Sequence, residues 1–89
     1  MLVYGVYKGD IEGSYLQGKA FKDLSKAVEY AKELVKKEDK YIDRMIKFCR
    51  EQKELKIDYH YFNKVSNYCW KGGYMHQDEI FIKTLELVE

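Results

Sequence analysis

From Leu24 to Cys49 the chain keeps one amphipathic phase, with no Gly or Pro inside it. Leu24, Ala27, Val28, Ala31, Leu34, Val35, Ile42, Met45, Ile46 and Cys49 fall on one side of a 3.6-residue wheel, with Glu38 as the intruder. That stripe predicts a helix from about Asp23 to Lys53, in which Asp23 or Ser25 caps the start by accepting an early backbone N–H. Unbroken, it is about 45 Å long at about 1.5 Å per residue, whereas each flanking strand offers about 23 Å at about 3.3 Å per residue. One small sheet of that length leaves apolar helix uncovered. Either the helix breaks at the charged run Lys36-Lys37-Glu38-Asp39-Lys40, with Asp39 capping a second helix, or it is long and straight or gently kinked, its free end covered by a second chain. The common phase before and after the charged run favours continuity, because a restarted helix has no reason to preserve it. Glu33 with Lys37, and Asp43 with Lys47, are acid-first i,i+4 pairs worth a few tenths of a kcal/mol each.

Strand signals flank the helix. Leu2 to Lys8 is rich in Val and Tyr, Gly9-Asp10-Ile11-Glu12-Gly13 is turn-forming, and Tyr15 to Phe21 is again strand-like, so the start of the chain reads as a β-hairpin. Gly5 and Gly18 inside these strands mark a bulge or a close approach, for which a helix lying across the hairpin is the simplest partner. Leu55 to Trp70 supports two readings: Leu55, Ile57, Tyr59 and Tyr61 alternate as in a strand, while Tyr61, Val65 and Cys69 have helical spacing. Lys71-Gly72-Gly73 reads as a turn. In Glu79 to Val88, Ile80 and Ile82 lie on one face and Leu85 and Leu87 on the other, which predicts a bulge near Lys83-Thr84 or a strand covered on both sides. The expected fold is a single α+β domain over residues 1–89: an N-terminal β-hairpin, one long amphipathic helix, a middle segment of ambiguous structure and a C-terminal β-strand.

Composition narrows the setting. With 46% hydrophobic and 16% aromatic residues, a chain of 89 residues is expected to fold as one small domain rather than stay disordered. No apolar run approaches the roughly 18 residues that span a bilayer, and Met-Leu-Val-Tyr-Gly lacks the features of a signal peptide, so a cytoplasmic protein without a membrane partner is expected. There Cys49 and Cys69 are expected to be free thiols. The net charge is +1 with both signs interspersed, which argues against duplex DNA as a partner. Only Arg44 and Arg50 of the 16 basic residues are arginines, and the abundance of Lys and Tyr points to an AT-rich genome.

Four clusters bear on chemistry. His60, His76, Cys49 and Cys69 have separations that match no compact zinc pattern, and neither metal nor cofactor is expected. His76-Gln77-Asp78-Glu79 offers an acid/base pair or a hard-metal site, or else is a polar turn entering the last strand. With no phosphate loop or nucleophile elbow in the chain, the expectation is a non-enzyme. Tyr59, Tyr61, Phe62, Tyr68, Trp70 and Tyr74, interleaved with Asn63, Lys64, Asn67 and Lys71, can stack on nucleobases, form a protein hot spot or fill the core; Lys71 and the Gly72-Gly73 backbone suit a phosphate. On the helix, Lys37, Lys40, Arg44 and Lys47 form a basic ridge fit for an anionic ligand, RNA or an acidic partner surface, unless it is a solvated face screened by Glu33 and Asp43. Tyr30, Tyr41 and Phe48 line the shoulder between ridge and core, and with Met45 they are the expected homodimer interface.

Val3-Tyr4-Gly5-Val6-Tyr7, Gly9-Asp10, Ser14-Tyr15, Phe21 and Ala27 to Ala31, with the ending Asp78-Glu79-Ile80-Phe81-Ile82 and Leu85-Glu86-Leu87, resemble small β-hairpin-plus-helix accessory proteins of bacteriophages and low-GC bacteria. These segments cover a little over half the chain, and the stretch between Ile42 and Trp70 departs from the short pattern. The resemblance implies a non-enzymatic phage protein in the host cytoplasm that binds and inhibits a host component, for example one of antiviral defence. Its working surface would be the aromatic segment and the basic ridge. The alternative is a sponge that sequesters a nucleotide signal at an oligomer interface; a third reading is a small enzyme acting on an anionic substrate.

Overall fold

A computed structural model describes residues 1–87. It is an α+β fold in the order β1 (Leu2–Asp10), β2 (Gly13–Phe21), α1 (Leu24–Glu51), β3 (Tyr59–Ser66), β4 (Cys69–Tyr74) and β5 (Asp78–Glu86). The strands form one antiparallel sheet in the order β2-β1-β5-β4-β3, with α1 across one face. The N-terminal hairpin and the C-terminal strand are as the sequence predicts; Val88, the predicted end of that strand, lies outside the described residues.

The helix runs 28 residues without a break, about 42 Å at about 1.5 Å per residue. Asp23 caps it by accepting the Ser25 backbone N–H at 2.9 Å and the Ser25 hydroxyl at 2.7 Å. At its end Lys53 takes a left-handed conformation usually left to glycine; the N–H groups of Lys53 and Glu54 donate to the carbonyls of Arg50 and Cys49, which closes a Schellman turn.

Neither expectation for covering this helix holds, because the sheet is staggered. β5 pairs with β1 from Leu2↔Glu86 to Gly9↔Glu79, but with β4 only from Cys69↔Phe81 to Gly72↔Asp78. The β3–β4 hairpin then continues past the tip of β1–β2 to Tyr59↔Tyr74. The molecule is accordingly elongated, 55 × 23 × 21 Å. The first half of α1 packs on β1, β2 and β5, and the distal half on β3, so that Ile42 and Cys49, 1% and 6% exposed, are buried within one chain. The uncovered overhang that called for a second chain does not exist.

The middle segment is where expectation and structure part most. It is a β-hairpin, β3–β4, turning at Asn67–Tyr68, and Leu55 lies outside it, fully exposed. Lys71, Gly72 and Gly73 are not a turn but the middle of β4. The turn comes later, at Met75 and His76: both have positive φ, and Gln77 N–H donates to the Tyr74 carbonyl at 3.1 Å, a type I′ arrangement made without glycine. No bulge falls at Lys83-Thr84, since the β1–β5 register is continuous; Ile80 and Ile82 face α1 while Leu85 is half-buried on the opposite face. The expected close approach of the helix is met at Gly18, where φ is +79 and a Cβ would lie 3.2 Å from the Tyr30 hydroxyl. Gly5 instead adjoins the β1–β2 register shift and is hemmed by Leu16.

The core cluster is Val6, Ala27, Ala31, Ile42, Phe62, Trp70 and Ile80. Both sheet edges are blunted. At β2, Gln17 to Lys19 bulge out opposite Val6; at β3, the Phe62 backbone N–H donates to Asp39 Oδ1 of the helix at 2.9 Å.

Candidate partner-binding site

The distal half of α1 carries acids and bases in alternation, and the fold separates them by giving Glu38, Asp39 and Asp43 partners on the sheet. Lys8 Nζ reaches Glu38 Oε1 at 2.6 Å, Asp39 accepts the Phe62 N–H, and Asp43 accepts the Tyr61 hydroxyl. That last bond holds the Tyr61 phenol above its usual pKa, since losing the proton would place two negative charges together, and partial burial adds to the effect. Glu33 pairs with Lys36 at 3.5 Å rather than with Lys37, and Asp43 is not paired with Lys47. Lys37, Lys40, Arg44 and Lys47 are all exposed and enter no ion pair among the described residues. Neither Glu33 nor Asp43 pairs with a base of the ridge, which runs over about 15 Å of helix without an ion pair of its own among the described residues, although a hydrogen bond from a neutral hydroxyl cancels none of the charge of Asp43.

Beside the ridge, Tyr41 and Phe48 are each 52% exposed, with Met45 half-buried between them. Tyr59 forms the floor next to them. Burial raises its phenol pKa, and the neighbouring Tyr41, Cys49, Tyr74 and Glu54 add to the rise. The Tyr59 ring lies 5.2 Å from that of Tyr74, which is itself about half exposed together with Met75. Tyr30 does not join this surface, because its ring packs 5.4 Å from Phe21 of the N-terminal hairpin.

The aromatic segment is divided between core and surface. Trp70, 6% exposed, and Phe62 pack with Ile42 and Ile80, whereas Tyr61, Tyr68 and Tyr74 remain exposed. Lys71 lies on the sheet face away from α1, paired with Glu79 at 3.5 Å. Gly72 and Gly73 are pressed against β3 and Asp78 respectively. Trp70, Lys71 and the diglycine thus do not converge on one cleft.

The run from His76 to Glu79 is also dispersed. His76 stacks on His60 with ring centroids 3.6 Å apart, Asp78 covers Gly73, and Glu79 faces Lys71; no hydrogen bond joins His76 to either carboxylate among the described residues. Burial raises the Asp78 carboxyl above its usual pKa; the Lys8 ammonium opposes this, and the Glu38 and Asp10 carboxylates reinforce it. A raised folded-state value means that ionised Asp78 opposes folding. The penalty is complete above the folded pKa and fades as pH falls to the unfolded value. Asp78→Asn is therefore expected to raise the urea midpoint near neutral pH, with a smaller gain at about pH 3. An equal gain at both pH values, or a loss near neutrality, refutes this assignment.

Cys49 is buried at the distal end and Cys69 half-buried on the open sheet face, both as free thiols. Among the described residues no group of three or more His, Cys, Asp and Glu is arranged to hold a metal ion, and no helix is long and apolar enough to cross a membrane. The anchoring roles of Glu38, Asp39 and Asp43 are absent from the sequence reading. The only signal was the i,i+4 spacing of Asp39 and Asp43 on the flank opposite Tyr41, which acquires meaning once β3 is known to lie there. Compared with family models, with curated proteins and with solved structures, the chain matches none.

Proposed function

We propose that this chain is a non-enzymatic accessory protein that binds a host protein and inhibits it, the function implied by its resemblance to small phage proteins. The observation that carries the reading is the split of charge along distal α1: Glu38, Asp39 and Asp43 engaged by the sheet, Lys37, Lys40, Arg44 and Lys47 outside any ion pair among the described residues, with Tyr41 and Phe48 exposed beside them. Unpaired charge around exposed aromatics is the composition of a docking surface, since charge steers encounter and aromatic anchors supply affinity. Tyr61 and Tyr74 extend the surface at its edges. A homodimer through Tyr41, Met45 and Phe48 is the competing use of the same flank. The nucleotide-sponge reading loses Trp70 as a stacking plane and Lys71 as a free cation, and no other feature favours it.

The test is plating of phage on bacteria that carry individual antiviral defences, with and without the chain expressed. Plating is expected to recover against one defence and to fall back to the level of defended bacteria without the chain when the Lys37→Glu/Arg44→Glu double variant is expressed at unchanged protein level. Failure to restore plating against every defence, or recovery that survives the double change, overturns the proposal.

A further inference from the structure

The spacing on this flank specifies the shape of what docks there. Tyr41, Met45 and Phe48 stand at i, i+4 and i+7, the 3.5-residue repeat of a helix–helix seam. Along its solvent side Lys37, Arg44 and Glu51 follow at intervals of seven, all exposed, with Lys40 and Lys47 behind them. Along its other side Ile42 and Cys49 belong to the protein's own core. The seam is therefore open on one flank only, and the Tyr59–Tyr74 pair continues its floor. An α-helix laid alongside fills such a row by setting its side chains between those of α1, whereas an extended strand repeats every two residues and falls out of step within one turn.

Charge decides which helix fits. The open flank carries four bases against Glu51; Glu33, one turn before Lys37, pairs with Lys36, and Asp43 is turned to Tyr61 of β3. We infer that the distal flank of α1 docks an amphipathic helix of a partner protein, with an apolar stripe against Tyr41, Met45 and Phe48 and acidic residues against Lys37 and Arg44. The inference rests on the partner-binding reading above and names the element that is bound. A second copy fits less well: a twofold antiparallel pairing of Tyr41 with Phe48 brings Arg44 beside its own counterpart near the axis, where like charges repel. A nucleic-acid strand would engage the lysines but leave the Met45 side of the row without an apolar partner.

The experiment uses two synthetic helical peptides with Leu at the seam positions, one flanked by Glu and its twin flanked by Lys, titrated against the full-length chain by fluorescence anisotropy. The Glu peptide is expected to bind and the Lys twin not to. Phe48→Ala, and separately Lys37→Glu/Arg44→Glu, should each weaken the Glu peptide by at least about tenfold, and the charge reversal should gain binding to the Lys twin. These positions are exposed, and melting temperatures of the variants confirm that the fold is kept. Binding of neither peptide, equal binding of both, indifference to Phe48→Ala, or a wild-type chain that sediments as a dimer dissociated by Phe48→Ala each overturn the inference. If the peptides fail while plating still depends on Lys37 and Arg44, the partner-binding reading stands and only the helix assignment falls; if both fail, the flank is a solvated surface.

Discussion

Trp70→Ala is expected to destabilise the fold by about 3 to 5 kcal/mol, the usual cost of emptying a buried tryptophan site. Trp70 sits on the helix-facing side of β4, packed in one cluster with Ile42 of distal α1, Phe62 of β3 and Ile80 of the central strand. Truncating it removes contacts that tie the β3–β4 hairpin to both α1 and β5, and the resulting cavity is walled by strands that cannot close without losing register. For a domain of this size such a loss approaches the whole of a typical folding free energy. Urea unfolding followed by far-UV circular dichroism measures it. A change below about 1 kcal/mol would show that Trp70 is not packed as described and would return it to the candidate ligand surface. The result also guards against a misreading: any loss of partner binding in this variant reports unfolding, not a lost contact.

The second large effect is expected at Gly72. A Cβ there would lie 2.8 Å from Phe62 Cα and 2.9 Å from both Phe62 N and the His60 carbonyl oxygen. These are backbone atoms of the paired strand, so no side-chain rotation relieves the contact and β3 must lift away from β4. Lifting β3 also disturbs the Asp39 bond to the Phe62 N–H and the burial of Phe62. Gly72→Ala should therefore cost about 3 kcal/mol or more, at the upper end of overpacking effects. Gly73→Ala is the control. Its φ of +80 carries a left-handed penalty of about 1 to 2 kcal/mol, and its obstacle is the Asp78 side chain, whose carboxylate can swing aside although its Cβ, 2.9 Å away, cannot. In an Asp78→Ala background, which removes the carboxylate but keeps the Cβ of residue 78, Gly73→Ala should lose part of its cost, whereas Gly72→Ala should be unaffected by that change. Equal costs at the two glycines would mean that β3 and β4 are less closely apposed than described.

These two positions also show where sequence reading reached its limit. The helix was legible because its stripe is long: ten apolar positions in one phase outweigh the charged run at Lys36 to Lys40, and the unbroken 28-residue helix follows them. The hairpin was legible because Gly9 to Gly13 is turn-forming and sequence rich in Val and Tyr precedes it. The second hairpin was not. β3 exposes most of its residues, so it lacks the alternation that marks a half-buried strand, and its bulges against β4 break the period further. Gly72 and Gly73 read as a turn because adjacent glycines usually are one; here they are needed so that two strands and one carboxylate can come close. The true turn, at Met75 and His76, falls at the head of the run from His76 to Glu79 that reads as a polar turn entering the last strand, and it is made without the glycine that usually marks such a turn. As for the candidate site, the basic ridge and the Tyr41–Phe48 shoulder could be read from the helical wheel. That Asp39 and Asp43 are engaged by β3 rather than by the ridge could not, since it depends on β3 lying beside them.

The place of β5 has a consequence for how the molecule comes together. The fifth strand in chain order is the central one in the sheet, and among the described residues it forms the only strand-to-strand link between the β1–β2 and β3–β4 hairpins. Until it inserts, the two hairpins are separate local units that share nothing but contact with α1. The final sheet therefore closes by pairing residues some 80 positions apart, Leu2 with Glu86. Such closure is the slowest kind of contact to find, because its loop entropy is lost before any ladder hydrogen bond forms. Nascent chains in which β5 has not yet been made expose one edge of β1 and one of β4, the two edges that the finished protein keeps covered. In this molecule, exposure to mispairing during synthesis is concentrated in the interval between the completion of β4 and the arrival of β5.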